Sequence, residues 1–264
     1  PSSMPEDYDL IIYSAEHQFP PLPNLQPITL PLMRVDEAQV AAAAREWEAR
    51  FVDLPRPLTA FLVGGPTGPF LFNAKAARRL QSTIRQVIEE TGGTAYITTS
   101  RRTPPVVVEA LQSDLPAAAR LFTWSADASD NPYRALLGLA DGFVVTGDSI
   151  SMMVEVVRLR KPLAILGLPV GALGTFDLLR RSLTRWLFAP QSRGPLDRLR
   201  QATGRALYRL RILTHTRDFV AFHNMLVARG LAVHAGEPLR QPVGEVPDDL
   251  AIAIQRIVAL IKKA

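Results

Sequence analysis

The chain of 264 residues contains no cysteine, which excludes disulfides and thiolate-held zinc. Histidine is scarce: His17, His215, His223 and His234 are scattered without the spacing of an HExxH helix, so no metal site is expected. Long apolar runs are missing as well. The most apolar run without a charge, 162–175, is too short and too rich in glycine to span a bilayer. The chain opens on Pro-Ser-Ser-Met-Pro, with no basic segment leading into an apolar one, and no signal peptide is expected. What remains is ordinary. A content of 47% hydrophobic and 21% charged residues suits a globular protein of one large domain or two modest ones.

The net charge of +5 is unevenly spread. Residues 171–240 hold twelve arginines and four acidic residues, a local balance of +8, while the rest of the chain carries 18 basic and 21 acidic side chains. Basic charge gathered in one segment points to an anionic partner there.

The stretch 141–166, DGFVVTGDSISMMVEVVRLRKPLAIL, is the most informative. It parses as a strand over 143–146, a turn at Gly147 and Asp148, a helix over 149–159 and a second strand over Leu163–Leu166. Gly147 permits a sharp turn where a side chain would obstruct it. Ser149 and Ser151 fall at the helix mouth, where unpaired amides and the positive dipole end favour an anion. Glu155 lies four residues past Ser151 on the same face. A phosphate at the helix start and a carboxylate one turn deeper would hold a nucleotide's diphosphate and ribose. The plain alternative is a βαβ crossover with a serine cap and a solvated glutamate.

Residues 1–35 read as the tail of something larger, with strands over 8–13 and 26–30 that cannot stand alone as a domain. A helix is predicted over 36–51 from Val40, Ala44, Trp47 and Phe51, and the Pro-rich break at 54–57 marks a boundary. A buried strand, Leu58–Val63, then ends in Gly64-Gly65-Pro66-Thr67-Gly68. This is neither a Walker loop nor GxGxxG; it is a strand end suited to a ligand or a simple tight turn. Next come a helix over 73–90, a strand over Thr94–Thr99 ending in Ser100-Arg101-Arg102, a helix over 106–112, a strand over 121–124 and a polar loop over 127–131 leading to Pro132. Two arginines at a strand end suit phosphate, although adjacent exposed arginines are common. Such alternation implies an α/β fold, a parallel sheet with helices on both faces. Beyond residue 175 no strand is expected. Two arginine-rich amphipathic helices, with Trp186 and Phe176 on the apolar side, suit an anionic membrane surface; packing against the parent domain or a second copy is the alternative. Nucleic acid is not expected, since no aromatic surface is interleaved with the arginines. Helices over 218–228, stopped by Gly230, and 247–261 complete the chain.

GGPTG after a strand, TSRRTP, DNPYRALLGLADGFVVTGDSISMMVEVVRLRKP and DFVAFHNMLVARGLA together resemble the bacterial relatives of the plant mitochondrial fission factor family known for elongated mitochondria. That family is itself similar to the nucleotide-sugar-binding half of GT-B glycosyltransferases. The most specific part is Asp148-Ser149-x-Ser151-Met152-x-x-Glu155 with Lys161-Pro162, and the likeness covers 8–170 and 216–261. It implies a Rossmann-like half that binds a nucleotide-diphosphate sugar as donor, with no further cofactor. Gly64 and Gly65 would approach a phosphate, Ser100, Arg101 and Arg102 would line the cleft, and Asn131 and Tyr133 would lie near base or sugar. Ser149, Ser151 and Met152 would meet the diphosphate beside Asp148, and Glu155 would accept the ribose hydroxyls. Val154 departs from a usual small serine, Arg160 from a usual glycine, and 177–215 reads as an insertion. The expected organisation is 1–54 as the end of an N-terminal domain, 55–170 as the nucleotide-sugar domain, 171–215 as a basic helical insertion and 216–264 as closing helices. The functions implied are sugar transfer to a membrane-associated acceptor or a non-catalytic adaptor, in the cytoplasm or peripheral to an inner membrane. No catalytic residue is assigned; His17 is the candidate, against a plain surface histidine.

Overall fold

The computed structural model describes residues 5–126, 130–189, 194–213 and 216–262; part of the polar loop (127–129), Pro190 and His215 therefore lie outside the described residues. In chain order the elements are β1 (Ile11–Ser14), β2 (His17–Gln18), β3 (Leu25–Ile28), α1 (Glu37–Phe51), β4 (Leu58–Val63), α2 (Ala74–Thr91), β5 (Thr94–Thr99), α3 (Pro105–Ser113), β6 (Ala119–Phe122) and α4 (Tyr133–Leu139). They continue with β7 (Gly142–Thr146), α5 (Ile150–Arg158), β8 (Leu163–Leu166), α6 (Ala172–Phe188), α7 (Pro195–Arg209), β9 (Thr216–Arg217), α8 (Phe219–Ala228), β10 (Val233–His234) and α9 (Asp249–Ile261). They form two compact units. One comprises residues 33–171 and 223–246, the other 1–32, 172–222 and 247–264.

The larger unit is the expected α/β fold. Six parallel strands lie in the order β10-β8-β7-β4-β5-β6. Every residue of β4, β7 and β8 is buried, as strands covered on both faces require. The chain runs outward from β4 through β5 to β6, then returns to β7 and continues the other way, so the strand order reverses between β4 and β7. That reversal opens a crevice beyond their carboxyl ends. Sequence periodicity missed β2, β9 and β10. Each has two residues, too few to display an alternation of period two.

Local chemistry sets the helix limits. Asp36 caps α1 by accepting from Gln39 N, and Asn73 caps α2 by accepting from Lys75 N and Ala76 N. Gly92 ends α2 at φ +66°. Helix α1 packs on α4, where a Cβ on Gly138 would come within 2.8 Å of the Ala44 methyl. Lys161 closes the C-terminal end of α4, its Nζ donating to the carbonyls of Gly138 (3.0 Å) and Ala140 (2.9 Å). Arg160 adopts φ +53°, the left-handed region that a glycine would enter without strain. Gly147 is not among the positive-φ glycines; its missing side chain makes room for the His223 ring, whose Cε1 would lie 2.9 Å from a Cβ there.

In the smaller unit, β1 and β3 pair in parallel and β2 pairs with β9 antiparallel. Strand β1 begins at Ile11 rather than at residue 8, because the chain ahead of it turns, with Tyr8 N donating back to the Pro5 carbonyl (3.2 Å). Helices α6 and α7 form where two amphipathic helices were expected, around a small core of Leu187, Phe188 and Tyr208. Among the described residues no helix is long and apolar enough to cross a membrane.

Helix α9 is fastened to β3 by its first residue. The buried Asp249 carboxylate accepts from Thr29 N (2.6 Å) and Leu30 N (2.7 Å). Asp249→Ala leaves both amides unpaired and is expected to cost about 2–4 kcal/mol. Urea unfolding followed at the smaller unit measures it; a change within about 0.5 kcal/mol, ordinary for a surface position, would contradict it.

Candidate functional site

The crevice between β4 and β7 is built from two strand-end loops. From β4, Gly64 N donates to Thr146 Oγ1 (2.9 Å) and Gly65 N to Asp148 Oδ2 (2.9 Å). The approach needs glycine: a Cβ on Gly64 would fall 2.1 Å from both Asp148 Oδ2 and Ser149 Oγ, and one on Gly65 would fall 2.3 Å from the Arg102 carbonyl oxygen. The two loops that the sequence motifs selected therefore meet, but both glycine amides are committed to acceptors within the protein. What the glycines shape is the wall of the crevice.

Asp148 joins the parts. Its buried Oδ2 accepts from Gly65 N, from Ser149 Oγ (3.0 Å) and from Arg102 Nη2 (3.4 Å), while Oδ1 is buried with no hydrogen-bond partner among the described residues. Arg102 is half exposed and also donates through Nη1 to Thr67 Oγ1 (2.9 Å). The turn carrying it is held by Thr103, whose hydroxyl donates to the Gly64 carbonyl (2.6 Å) and accepts from Ser100 N (2.9 Å). From below, His223 Nε2 donates to the Gly147 carbonyl (2.8 Å), its ring stacked on Phe70. Thr67, Thr103, Thr146 and His223 were not selected from the sequence. Short polar side chains in turns carry no periodic signal, and the ring of His223 meets Gly147 across 76 residues of chain.

Helix α5 begins at this point. Ser149 is its N-cap residue but makes no side-chain cap bond; its hydroxyl donates to Asp148 Oδ2. The first intrahelical bond is Met153 N to Ser149 O (3.1 Å), so the amides of Ile150, Ser151 and Met152 precede it without a capping side chain. Ser151 is exposed and Met152 half-buried. Glu155 stands six residues from Ser149, about 9 Å along the helix axis. Its Oε2 accepts a hydrogen bond from the Tyr133 hydroxyl, and Tyr133 N is in turn held by Asn131 Oδ1 (3.0 Å). Burial, and then the Glu155 charge, push the Tyr133 phenol well above its ordinary range, so it stays a proton donor. Glu155 opens into a cleft of about 210 Å³ lined also by Arg34, Asp36, Gln39 and Arg134.

The nominated residues thus fall into two groups on one helix: Gly64, Gly65, Ser100, Arg102, Asp148 and Ser149 at its mouth, and Asn131, Tyr133 and Glu155 farther along. Arg101 is exposed and joins neither group by a described contact. His17 belongs to the smaller unit, where it pairs with Arg217 across β2 and β9 and its Nδ1 lies 3.5 Å from a carboxylate oxygen of buried Glu16. Burial lowers the His17 pKa against the opposing pull of Glu16.

Burial raises the Asp148 pKa, outweighing the Gly65 amide, the Thr146 and Ser149 hydroxyls and the Arg102 guanidinium, all of which lower it. A raised folded value means that the carboxyl's contribution to stability is complete below about pH 4 and is lost as the pH climbs through that value. The unfolding free energy of the wild type relative to Asp148→Asn is therefore expected to fall from acid to neutral pH. Urea titrations across that range measure it, and a constant or widening gap would contradict the assignment.

The family model described as "Mitochondrial fission ELM1" matches residues 1–197, taking in α6 and stopping before α8. The mitochondrial fission protein ELM1 of Arabidopsis thaliana is 31% identical over 148 residues, 56% of this chain and 34% of that protein. The uncharacterized protein RP120 of Rickettsia prowazekii (strain Madrid E) is 29% identical over 153 residues, 58% of this chain and 43% of that protein. The chain thus spans less than half the length of these curated relatives. Among solved structures, the ADP-heptose lps heptosyltransferase II of E. coli aligns with 18% identity and a TM-score of 0.37, over 53% of this chain and 40% of that one. With the family match covering most of its length, the chain belongs to the Mitochondrial fission ELM1 family.

Proposed function

We propose that the larger unit binds a nucleotide-diphosphate sugar in the crevice at the reversal of strand order, and that the chain acts as a glycosyltransferase-like protein. The observation that carries this reading is the meeting of the Gly64–Gly65 and Asp148–Ser149 loops at the point where open α/β sheets bind ligands. The diphosphate lies against the leading amides of α5 and the Arg102 guanidinium, with Ser100 and Arg101 at the rim. Glu155 takes ribose hydroxyls on the carboxylate oxygen that Tyr133 does not hold, and the base enters the adjoining cleft near Asn131 and Arg34. In transfer, the oxygen of an acceptor hydroxyl bonds to the anomeric carbon and gives up its proton to solvent as the bond from that carbon to the diphosphate oxygen breaks. Negative charge then grows on the departing diphosphate, where Arg102 and the helix-end amides stabilise it. The acceptor in this reading is membrane-associated.

A second reading keeps the cleft without turnover, as an adaptor for a protein or membrane partner. It is favoured by the Arabidopsis relative, which is named a mitochondrial fission protein. Thermal melting with a panel of UDP-, ADP- and GDP-sugars tests binding, which both readings share. At a hundredfold excess over Kd, a bound donor is expected to raise the midpoint by about 5–10 °C. Arg102→Ala or Glu155→Ala is expected to weaken the effective ligand about tenfold or more. No shift with any nucleotide sugar would overturn the binding proposal; a shift without release of nucleoside diphosphate in the presence of acceptors would favour the adaptor.

A further inference from the structure

Helices α6 and α7 carry more apolar surface than their own packing uses. On α6 the residues Thr184, Leu187 and Phe188 face inward, and Leu187 and Phe188 close on Tyr208 of α7. Gly204 lets the helices approach, since a Cβ there would stand 3.0 Å from the Leu187 carbonyl oxygen. A second face of α6, set by Phe176, Leu179, Leu183 and Trp186 at spacings of three and four, remains open. On α7, Leu199 and, at its C-cap, Leu210 are open likewise. All six side chains expose 53–71% of their surface. Single exposed leucines are unremarkable, but a stripe along each of two successive helices marks an interaction site.

The charges beside the stripe identify its occupant. Leu199, Ala206 and Leu210 repeat at intervals of seven and four; Arg198, Arg205 and Arg209 repeat at the same intervals one residue earlier. The arginines therefore run along the edge of the apolar stripe, about 100° around the helix. Residues 171–215 contain nine arginines and only two acidic residues, Asp177 and Asp197. Both acids are paired within their own helices, Asp177 with Arg180 and Arg181 and Asp197 with Arg200. A second copy docked face to face would oppose two arginine-rich rims, which like-charge repulsion penalises. An anionic lipid surface satisfies both features, taking the apolar stripe at the acyl boundary and the guanidinium groups among the headgroups.

We infer that the α6–α7 pair is a docking surface for an anionic bilayer, with both helices lying in the plane of the interface. This inference is independent of nucleotide binding in the larger unit.

Flotation of the full chain with vesicles tests it. The chain is expected to float with phosphatidylcholine vesicles containing phosphatidylglycerol and to stay behind with phosphatidylcholine alone, and recovery should fall as salt rises. Arg198→Gln with Arg205→Gln should lower partitioning on the order of twentyfold, since each arginine near such a surface contributes about fivefold. Leu183→Glu with Leu199→Glu should abolish it at an unchanged melting midpoint, both positions being exposed. Failure of the unmodified chain to float with anionic vesicles would overturn the inference, as would flotation indifferent to the arginine pair. A concentration-dependent dimer that the leucine pair disperses, without flotation, would assign the face to a second copy and equally overturn it.

Discussion

The carboxylate of Asp148 is the tie on which the crevice depends. One oxygen gathers the end of β4 through Gly65, the start of α5 through Ser149 and the turn after β5 through Arg102. Neither glycine could be replaced without displacing these groups, because the space a side chain would need is already filled. The arrangement comes at a cost. The carboxylate is buried, one of its oxygens is unsatisfied, and its proton is held more tightly than in water. Buried polar groups left unsatisfied in this way gather where a fold prepares a site rather than maximises stability.

A consequence follows for helix α5. Ser149 turns its hydroxyl to Asp148 and makes no cap bond to its own helix, whereas Asp36 and Asn73 cap theirs. The positive end of the α5 dipole is thereby left to the crevice, beside a guanidinium whose own partner is buried and reluctant to ionise. Farther along the same helix, Tyr133 fixes one oxygen of Glu155 and leaves the other to the cleft. The Lys161-Pro162 pair has a different part. Lys161 closes α4, the helix that positions Tyr133, so its place in the motif is explained by support rather than contact with a ligand.

Much of this was legible in the residues, and the boundary of legibility has physical causes. Long buried strands such as Leu58–Val63 and Thr94–Thr99 announce themselves through continuous apolar or β-branched runs, and α2 and α5 through apolar periodicity. The α/β fold and the meeting of a glycine loop with a serine-tipped helix could be read from those elements. The two-residue strands β2, β9 and β10 could not, because their pairing is decided by partners distant in the chain. The same holds for His223 beneath Gly147 and for Thr103 behind Gly64. At Gly147 a side chain would obstruct the turn, as expected, and the obstruction is the ring of His223. Arg160 was noticed only as a departure from a usual glycine; its left-handed backbone supplies the reason glycine suits that position.

The two units contribute different chemistry: a crevice lined by dipoles and arginine in one, and a basic apolar face in the other. The central claim concerns the crevice and is tested most directly by an amide NMR titration of the isotopically labelled chain with uridine and adenosine diphosphates. Saturable shifts at Ile150, Ser151 and Met152, extending along α5 to Glu155, are the result the account predicts. A titration that leaves those amides unmoved, or moves only signals remote from the β4 and β7 strand ends, would contradict it.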